Sequence, residues 1–217
     1  MKEVAIGVDM GGTNTRFGFV NREGRMIAED AILTKDYGKL DDFLSILYER
    51  IQDKFKSLED EHEIKGIGIG APNGNYYKGT IEHAPNLSWK GVIPIVEHFK
   101  KFTPDIPVVL TNDANAAALG EKMYGGGKNM ENFVSITLGT GLGGGIFLCN
   151  ELLYGHDGFA GEIGHINVIK EGRKCGCGRR GCLETYASAT GLIRTLVELL
   201  GDDNRPSELR KIPYEEL

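Results

Sequence analysis

Val4-Ala5-Ile6-Gly7-Val8-Asp9-Met10-Gly11-Gly12-Thr13-Asn14-Thr15-Arg16-Phe17-Gly18-Phe19-Val20 is the stretch that decides the fold. Residues 3–9 read as a buried strand, and residues 16–21 alternate in side-chain character as a second strand does. The glycines between them turn the chain. Asn21-Arg22-Glu23-Gly24 marks a further turn before a third strand near residues 25–33, so the start of the chain is a meander. The same pattern returns later: an apolar run at residues 133–138, then Gly139-Thr140-Gly141-Leu142-Gly143-Gly144-Gly145, then a strand at 146–150. Two copies of strand, Gly/Thr turn and strand predict two related α/β halves. Their boundary is expected close to residues 110–114, giving domains of residues 1–112 and 113–217.

Between the two copies, Leu40, Phe43, Leu44, Leu47, Ile51, Phe55 and Leu58 have helical spacing. Residues 64–70 read as a strand and Ala71-Pro72-Asn73-Gly74-Asn75 as a loop; Pro104 and Pro107 flank a connection into a strand at 108–110. Residues 113–123 are alanine-rich and predict a helix ended by Gly125-Gly126-Gly127, and the tail from Asp202 reads as polar loop plus partial helix.

Lys+Arg of 25 against Asp+Glu of 31 gives a net charge of −6, which argues against a broad nucleic-acid surface. Met1 leads directly into the first strand, with no basic segment and apolar core of a signal peptide, and no apolar run reaches membrane-spanning length. A cytoplasmic protein without membrane partners is expected.

The turn at Asp9-Met10-Gly11-Gly12-Thr13-Asn14-Thr15 carries backbone N–H groups and hydroxyls that suit phosphate oxygens, and Asp9 is positioned to hold Mg2+. On local pattern alone, an ordinary glycine hairpin explains it equally well. Gly139-Thr140-Gly141 is a second candidate phosphate clamp, and two clamps suit a nucleoside triphosphate. Neither is a Walker or dinucleotide fingerprint, because a strand follows each turn. In Thr111-Asn112-Asp113-Ala114-Asn115, Asp113 reads either as a helix N-cap or as a general base with Asn112 beside it as a substrate donor.

Cys175, Cys177 and Cys182 lie within Cys175-Gly176-Cys177-Gly178-Arg179-Arg180-Gly181-Cys182, and His165 stands ten residues upstream in Gly161-Glu162-Ile163-Gly164-His165. Three thiolates and one imidazole complete a tetrahedral zinc set, which this spacing favours over free thiols or a strained disulfide. Lys174, Arg179 and Arg180 offset the thiolate charge. Such a loop brings Glu162, His165 and Glu184 together; His165 then ligates zinc with one ring nitrogen and meets a substrate hydroxyl with the other, zinc acting as organiser.

With these residues in hand, the chain resembles the ROK-family sugar kinases of the actin/hexokinase-like superfamily, bacterial glucokinases most of all. The matching stretches are residues 9–15, Ala84-Pro85-Asn86-Leu87-Ser88-Trp89, 112–115, 138–145, 162–165 and 175–184. The resemblance implies two ribonuclease-H-like domains around an ATP/sugar cleft. It implies that Asp113 takes the proton from a hexose hydroxyl, which then attacks the γ-phosphate of Mg-ATP. Asn86, Asn112, Asp113, Glu162, His165 and Glu184 would hold the sugar; Asp9, Gly11, Gly12, Thr13, Asn14, Gly139, Thr140 and Gly141 would hold ATP; His165, Cys175, Cys177 and Cys182 would hold Zn2+. Glucose is the expected substrate, giving glucose 6-phosphate. Fructose, mannose, an N-acetylhexosamine, or a non-catalytic sugar-binding fragment are the alternatives, with homodimerisation left open.

Two departures from the family pattern stand out. The chain is shorter than usual, so the second domain is expected to be incomplete at its C-terminus. Pro72-Asn73-Gly74-Asn75 replaces a Pro-Gly that faces the sugar. The family's sugar-sensing repressors carry a helix-turn-helix domain ahead of the Asp-x-Gly-Gly-Thr motif. Only eight residues precede Asp9, so a regulator is not expected.

Overall fold

The computed structural model describes residues 1–202 and 205–213. Strands β1 (Lys2–Met10), β2 (Thr15–Asn21) and β3 (Met26–Ile32) form the meander read from the sequence. Helix α1 (Leu40–Lys56) then carries the chain to β4 (His62–Ala71). The short strands β5 (Gly74–Asn75), β6 (Thr80–Glu82) and β7 (Val92–Ile93) precede α2 (Ile95–Phe102), β8 (Val108–Asn112) and α3 (Asp113–Tyr124). After them come β9 (Phe133–Leu138), β10 (Leu142–Leu148), β11 (Glu151–Leu152), the four-residue α4 (Glu184–Ala187) and α5 (Ala189–Asp202). Of the expected tail, residues 208–211 form a 3-10 turn, whereas residues 203–204 and 214–217 lie outside the described residues.

The main sheet has the order β3-β2-β1-β4-β8. β1 pairs antiparallel with β2 and parallel with β4, and β4 pairs parallel with β8. A tight turn suffices for the antiparallel pair, while each parallel step needs a longer crossover, which α1 and α2 supply. The first strand is buried on one face only: Val4, Ile6, Val8 and Met10 point into the core, whereas Ala5, Gly7 and Asp9 are exposed. The period of two decides this alternation, and it corrects the expectation of a fully buried strand. Phe43, Leu44, Leu47 and Ile51 of α1 and Ile95 and Phe99 of α2 complete the core. Phe43 packs on Trp89 at 4.6 Å between ring centroids, and Phe55 stacks on Phe19 at 5.6 Å.

The chain divides into two compact units, residues 1–135 with 145–161, and residues 136–144 with 162–217. This division is later than the 112/113 boundary expected from the repeat, because α3 packs over β4. A Cβ added to Gly70 would stand 3.2 Å from Ala116 Cβ. Strand β10 also starts earlier than expected: Leu142 through Gly145 are strand, not turn. The glycine run there serves close packing, since a Cβ on Gly145 would lie 2.4 Å from Ala118 Cβ. β11, β10 and β9 form a separate sheet in that order. β9 alternates as a strand should, but Val134, Ile136 and Leu138 face outward and are more than half exposed, at 52%, 54% and 62%.

Candidate functional site

In the first unit, the candidate residues gather at strand ends. Asp9 lies opposite Arg16 across β1 and β2. The turn after it is closed by Gly11 N–H donating to Asn14 O at 3.0 Å. A Cβ on Gly12 would fall 2.1 Å from Asn86 O, so this turn lies directly against the Asn86 backbone, a contact only glycine allows. The structure thus brings the first phosphate-turn candidates, residues 9–14, and the sugar candidate Asn86 together within one unit.

At the end of β8, Asn112 caps α3: its Oδ1 accepts a hydrogen bond from Ala114 N at 2.8 Å. Asp113 Oδ1 accepts from the same N–H at 2.8 Å, with its side chain exposed at the first helical position. Both side chains therefore accept from one N–H at the start of α3, with Asn112 in the N-cap position and Asp113 one residue on. The Asp9 carboxyl is raised above the usual carboxylate range, first by partial burial and then by the Asp113 charge, against a smaller opposing pull from Arg16. Asp9 and Asp113 feel one another as like charges, a setting that a cation relieves. One neighbouring polar atom, Asn115 Oδ1, is buried without a protein hydrogen-bond partner among the described residues. Its identity in the 111–115 motif carried no signal of this.

In the second unit, Glu162 precedes a 3-10 turn, Ile163–His165, that aims the imidazole. His165 Nδ1 stands 3.7 Å from Cys175 Sγ, and Nε2 stands 3.9 Å from Glu162 Oε2. One ring nitrogen thus faces the sulfurs and the other faces a carboxylate. Cys177 Sγ and Cys182 Sγ are also 3.7 Å apart, and the ligand atoms of His165, Cys175, Cys177 and Cys182 all lie within 4.8 Å of one another. Sulfurs about 2.3 Å from a tetrahedral zinc stand about 3.8 Å apart, so the donor set fits the ion in chemistry and in spacing. Glycine builds the loop: Gly178 and Gly181 have φ of +88° and +77°. A Cβ on Gly181 would lie 1.7 Å from Ile169 O.

Burial pushes the Cys175 thiol up to about 12. Burial acts upward on Cys177 too, but hydrogen bonds from the Arg179 backbone and side chain and from the Cys175 and Cys182 thiols outweigh it and leave that thiol at about 6.

Glu184 joins this cluster to the second Gly/Thr turn. Its Oε1 takes the Cys175 thiol at 3.5 Å and its Oε2 accepts from Leu142 N at 3.1 Å. Gly139 N–H donates to Gly141 O at 3.0 Å, and Thr190 Oγ1 donates to Thr140 O at 2.7 Å, fixing the turn to the start of α5. The sugar candidates therefore fall into two groups. Asn86, Asn112 and Asp113 belong to the first unit, and Glu162, His165 and Glu184 to the second.

Comparison with known proteins gives this arrangement its context. A family model described as ROK family matches residues 5–216. A glucokinase of Streptomyces coelicolor is 41% identical over 192 residues, covering 88% of this chain and 58% of that relative. A solved ROK family glucokinase from Streptomyces griseus, in complex with glucose and AMPPNP, superposes with a TM-score of 0.75 at 37% identity, covering 93% of this chain and 62% of the other. A ROK family transcriptional regulator, a homolog of the E. coli MLC protein, gives a TM-score of 0.84 at 29% identity over 98% of this chain and 53% of its own. The chain thus spans somewhat over half the length of these relatives. Its α/β architecture is the ribonuclease-H-like, actin/hexokinase-like fold, incomplete relative to theirs. Family match, identity and fold agree, and this chain belongs to the ROK family.

Proposed function

We propose that this chain is the greater part of an ATP-dependent hexose kinase, with glucose as its first substrate and Asp113 as general base. The observation that carries this reading is the placement at the start of α3: Asn112 occupies the N-cap, and Asp113, at the first helical position, is exposed beside Asp9. A carboxylate so placed can take a proton from a sugar hydroxyl. The freed oxygen attacks the γ-phosphate of ATP, with catalysis by positioning and charge stabilisation. Support for glucose and ATP comes from the Streptomyces griseus glucokinase, which was solved with glucose and AMPPNP.

Asn86 and Asn112, with Glu162, His165 and Glu184, are proposed to hold the sugar hydroxyls. The turns at residues 11–14 and 139–141 are proposed to hold phosphates through the backbone N–H groups other than those of Gly11 and Gly139, which close the turns. Mg2+, when bound, offsets phosphate charge, and Asp9 is the residue proposed to hold it. Zn2+ on His165, Cys175, Cys177 and Cys182 would fix the imidazole so that its other nitrogen is oriented for substrate. The repeat supports two ribonuclease-H-like domains. No helix among the described residues is long and apolar enough to cross a membrane, and a cytoplasmic setting is part of the proposal.

A coupled assay of ADP release with glucose, fructose, mannose and N-acetylglucosamine tests the reading. Glucose is expected to give the highest kcat/KM. Asp113→Asn is expected to lower kcat by at least about a hundredfold while glucose affinity changes far less. Near-normal turnover of Asp113→Asn removes Asp113 as the base. A second reading, a sugar-sensing regulator, has the TM-score of 0.84 to a transcriptional regulator in its favour. Glucose binding without any phosphoryl transfer would favour that reading, or a non-catalytic fragment, over the kinase.

A further inference from the structure

Three tyrosines outside the proposed chemistry meet on the first unit. Tyr76 stacks on Tyr154 with centroids 4.2 Å apart and planes 10° from parallel. Tyr77 meets both rings near edge-on, at 5.8 and 6.0 Å. Tyr76 and Tyr77 are nevertheless 43% and 60% exposed. Exposed aromatic rings usually move freely; these are held.

The holding device is Asn75, which is wholly buried. Its Nδ2 donates to Asp157 O at 2.9 Å and to Glu82 Oε1 at 3.3 Å, and its Oδ1 accepts from Tyr77 N at 3.1 Å and Lys78 N at 3.3 Å. Glu82 Oε1 also receives Thr80 Oγ1 at 2.9 Å and Lys78 Nζ at 3.0 Å. The turn that presents Tyr76 and Tyr77 is thereby fixed on both sides. Rigid amphipathic rings of this kind offer contact area with little entropy left to lose.

The cluster is tied to the end of β8. Ala71 pairs with Asn112, and a Cβ on Gly74 would stand 2.4 Å from Thr111 O. The loop that carries the tyrosines thus starts against the residues immediately before Asp113. Burial raises the Tyr154 phenol above its ordinary value, against a hydrogen bond to Thr111 that ties it to the residue two positions before Asp113.

One face of a pyranose ring is lined by C–H groups and is apolar, and it stacks on flat aromatic surfaces while its hydroxyls bond at the rim. We propose that Tyr76, Tyr77 and Tyr154 form a platform for a second ring carried by the sugar substrate, so that this site takes a glucosyl disaccharide or an aryl glucoside in preference to free glucose. The proposal deepens the kinase reading and rests on it for the position of the first ring.

Calorimetric titration of this chain with glucose, maltose, cellobiose and 4-nitrophenyl β-D-glucoside tests it. At least one two-ring probe is expected to bind about fivefold or more tightly than glucose. Tyr76→Ala and Tyr77→Ala should each remove that advantage, Tyr76→Phe should keep it, and glucose affinity should stay within about twofold throughout. Equal binding of all four probes overturns the proposal, as does an advantage that survives both alanine variants. Sedimentation showing a dimer that Tyr76→Ala dissociates, with ligand affinities unchanged, overturns it too and gives the platform to a second copy of the chain. Glucose binding without a two-ring advantage sinks the platform alone. Normal turnover by Asp113→Asn sinks the proposed base alone.

Discussion

Truncating Asn75 to alanine removes a wholly buried amide that makes four hydrogen bonds, two as donor and two as acceptor. The bonds at 2.9 and 3.1 Å, to Asp157 O and from Tyr77 N, have the better lengths. Each well-made intramolecular bond contributes about 1 kcal/mol net, and a buried group left without a partner costs about 1–3 kcal/mol. Asp157 O, Tyr77 N and Lys78 N lose this partner, three bonds at about 1 kcal/mol each, whereas Glu82 keeps Thr80 and Lys78. The sum is about 3 kcal/mol. For a chain of this size, 1 kcal/mol moves Tm by about 2–4 °C, so Asn75→Ala should melt about 6–12 °C below the parent. Scanning calorimetry gives the shift, and near-ultraviolet circular dichroism reports the tyrosine stack. The variant should lose near-ultraviolet signal at temperatures where its far-ultraviolet signal is intact, because the presenting turn loosens before the sheet melts. A Tm within about 2 °C of the parent, with the tyrosine signal unchanged, would refute the role given to Asn75.

Protein purified without added zinc should carry about one zinc per chain by elemental analysis, and Cys182→Ser should reduce this strongly; folded parent protein with under about a tenth of an equivalent contradicts the metal site. The Asp9 carboxyl is raised in the folded state, so its contribution is unfavourable at neutral pH and vanishes as pH falls through the folded and then the unfolded pKa. Asp9→Asn should accordingly raise Tm at pH 7 and gain nothing near pH 3, and a gain that is the same at both pH values excludes the like-charge account. Gly145→Ala drives a Cβ to 2.4 Å from Ala118, so α3 must shift, and a loss of about 1–3 kcal/mol in urea unfolding is expected; a neutral result removes the packing role of that glycine.

Much of the fold was legible because its signals are local. The meander, α1 and α3 follow from alternation, from apolar spacing at Phe43, Leu44, Leu47 and Ile51, and from alanine content. The Cys/His cluster was legible for the same reason: three of its four residues lie within eight positions, and glycine lets so short a loop close. What escaped depends on distant partners. The start of β10 was missed because Gly143-Gly144-Gly145 reads as a turn until α3 is seen pressing on Gly145. The compact units were not legible, because a repeat marks related segments and not contacts, and α3 stays with β4. The cap was undecidable in sequence, since Asn112 and Asp113 are both good N-caps and only geometry assigns the role to Asn112. Tyr76 and Tyr154, far apart in the chain, could not be paired before the fold was known.

Strand β9 carries a practical consequence for anyone handling this protein. Phe133-Val134-Ser135-Ile136-Thr137-Leu138 is six residues of high β-propensity with no charge and no proline, placed at the border of its sheet with three apolar side chains in water. Such a segment is adhesive: among the described residues no strand pairs with its outer edge, which offers backbone groups and a sticky face to any copy that drifts alongside. Precipitation should grow with concentration and with sulfate, which strengthens apolar association. A lysine at Ile136, in the middle of that outward row, would act as a gatekeeper and keep solutions clear without touching Asp113, the cysteines or the tyrosines.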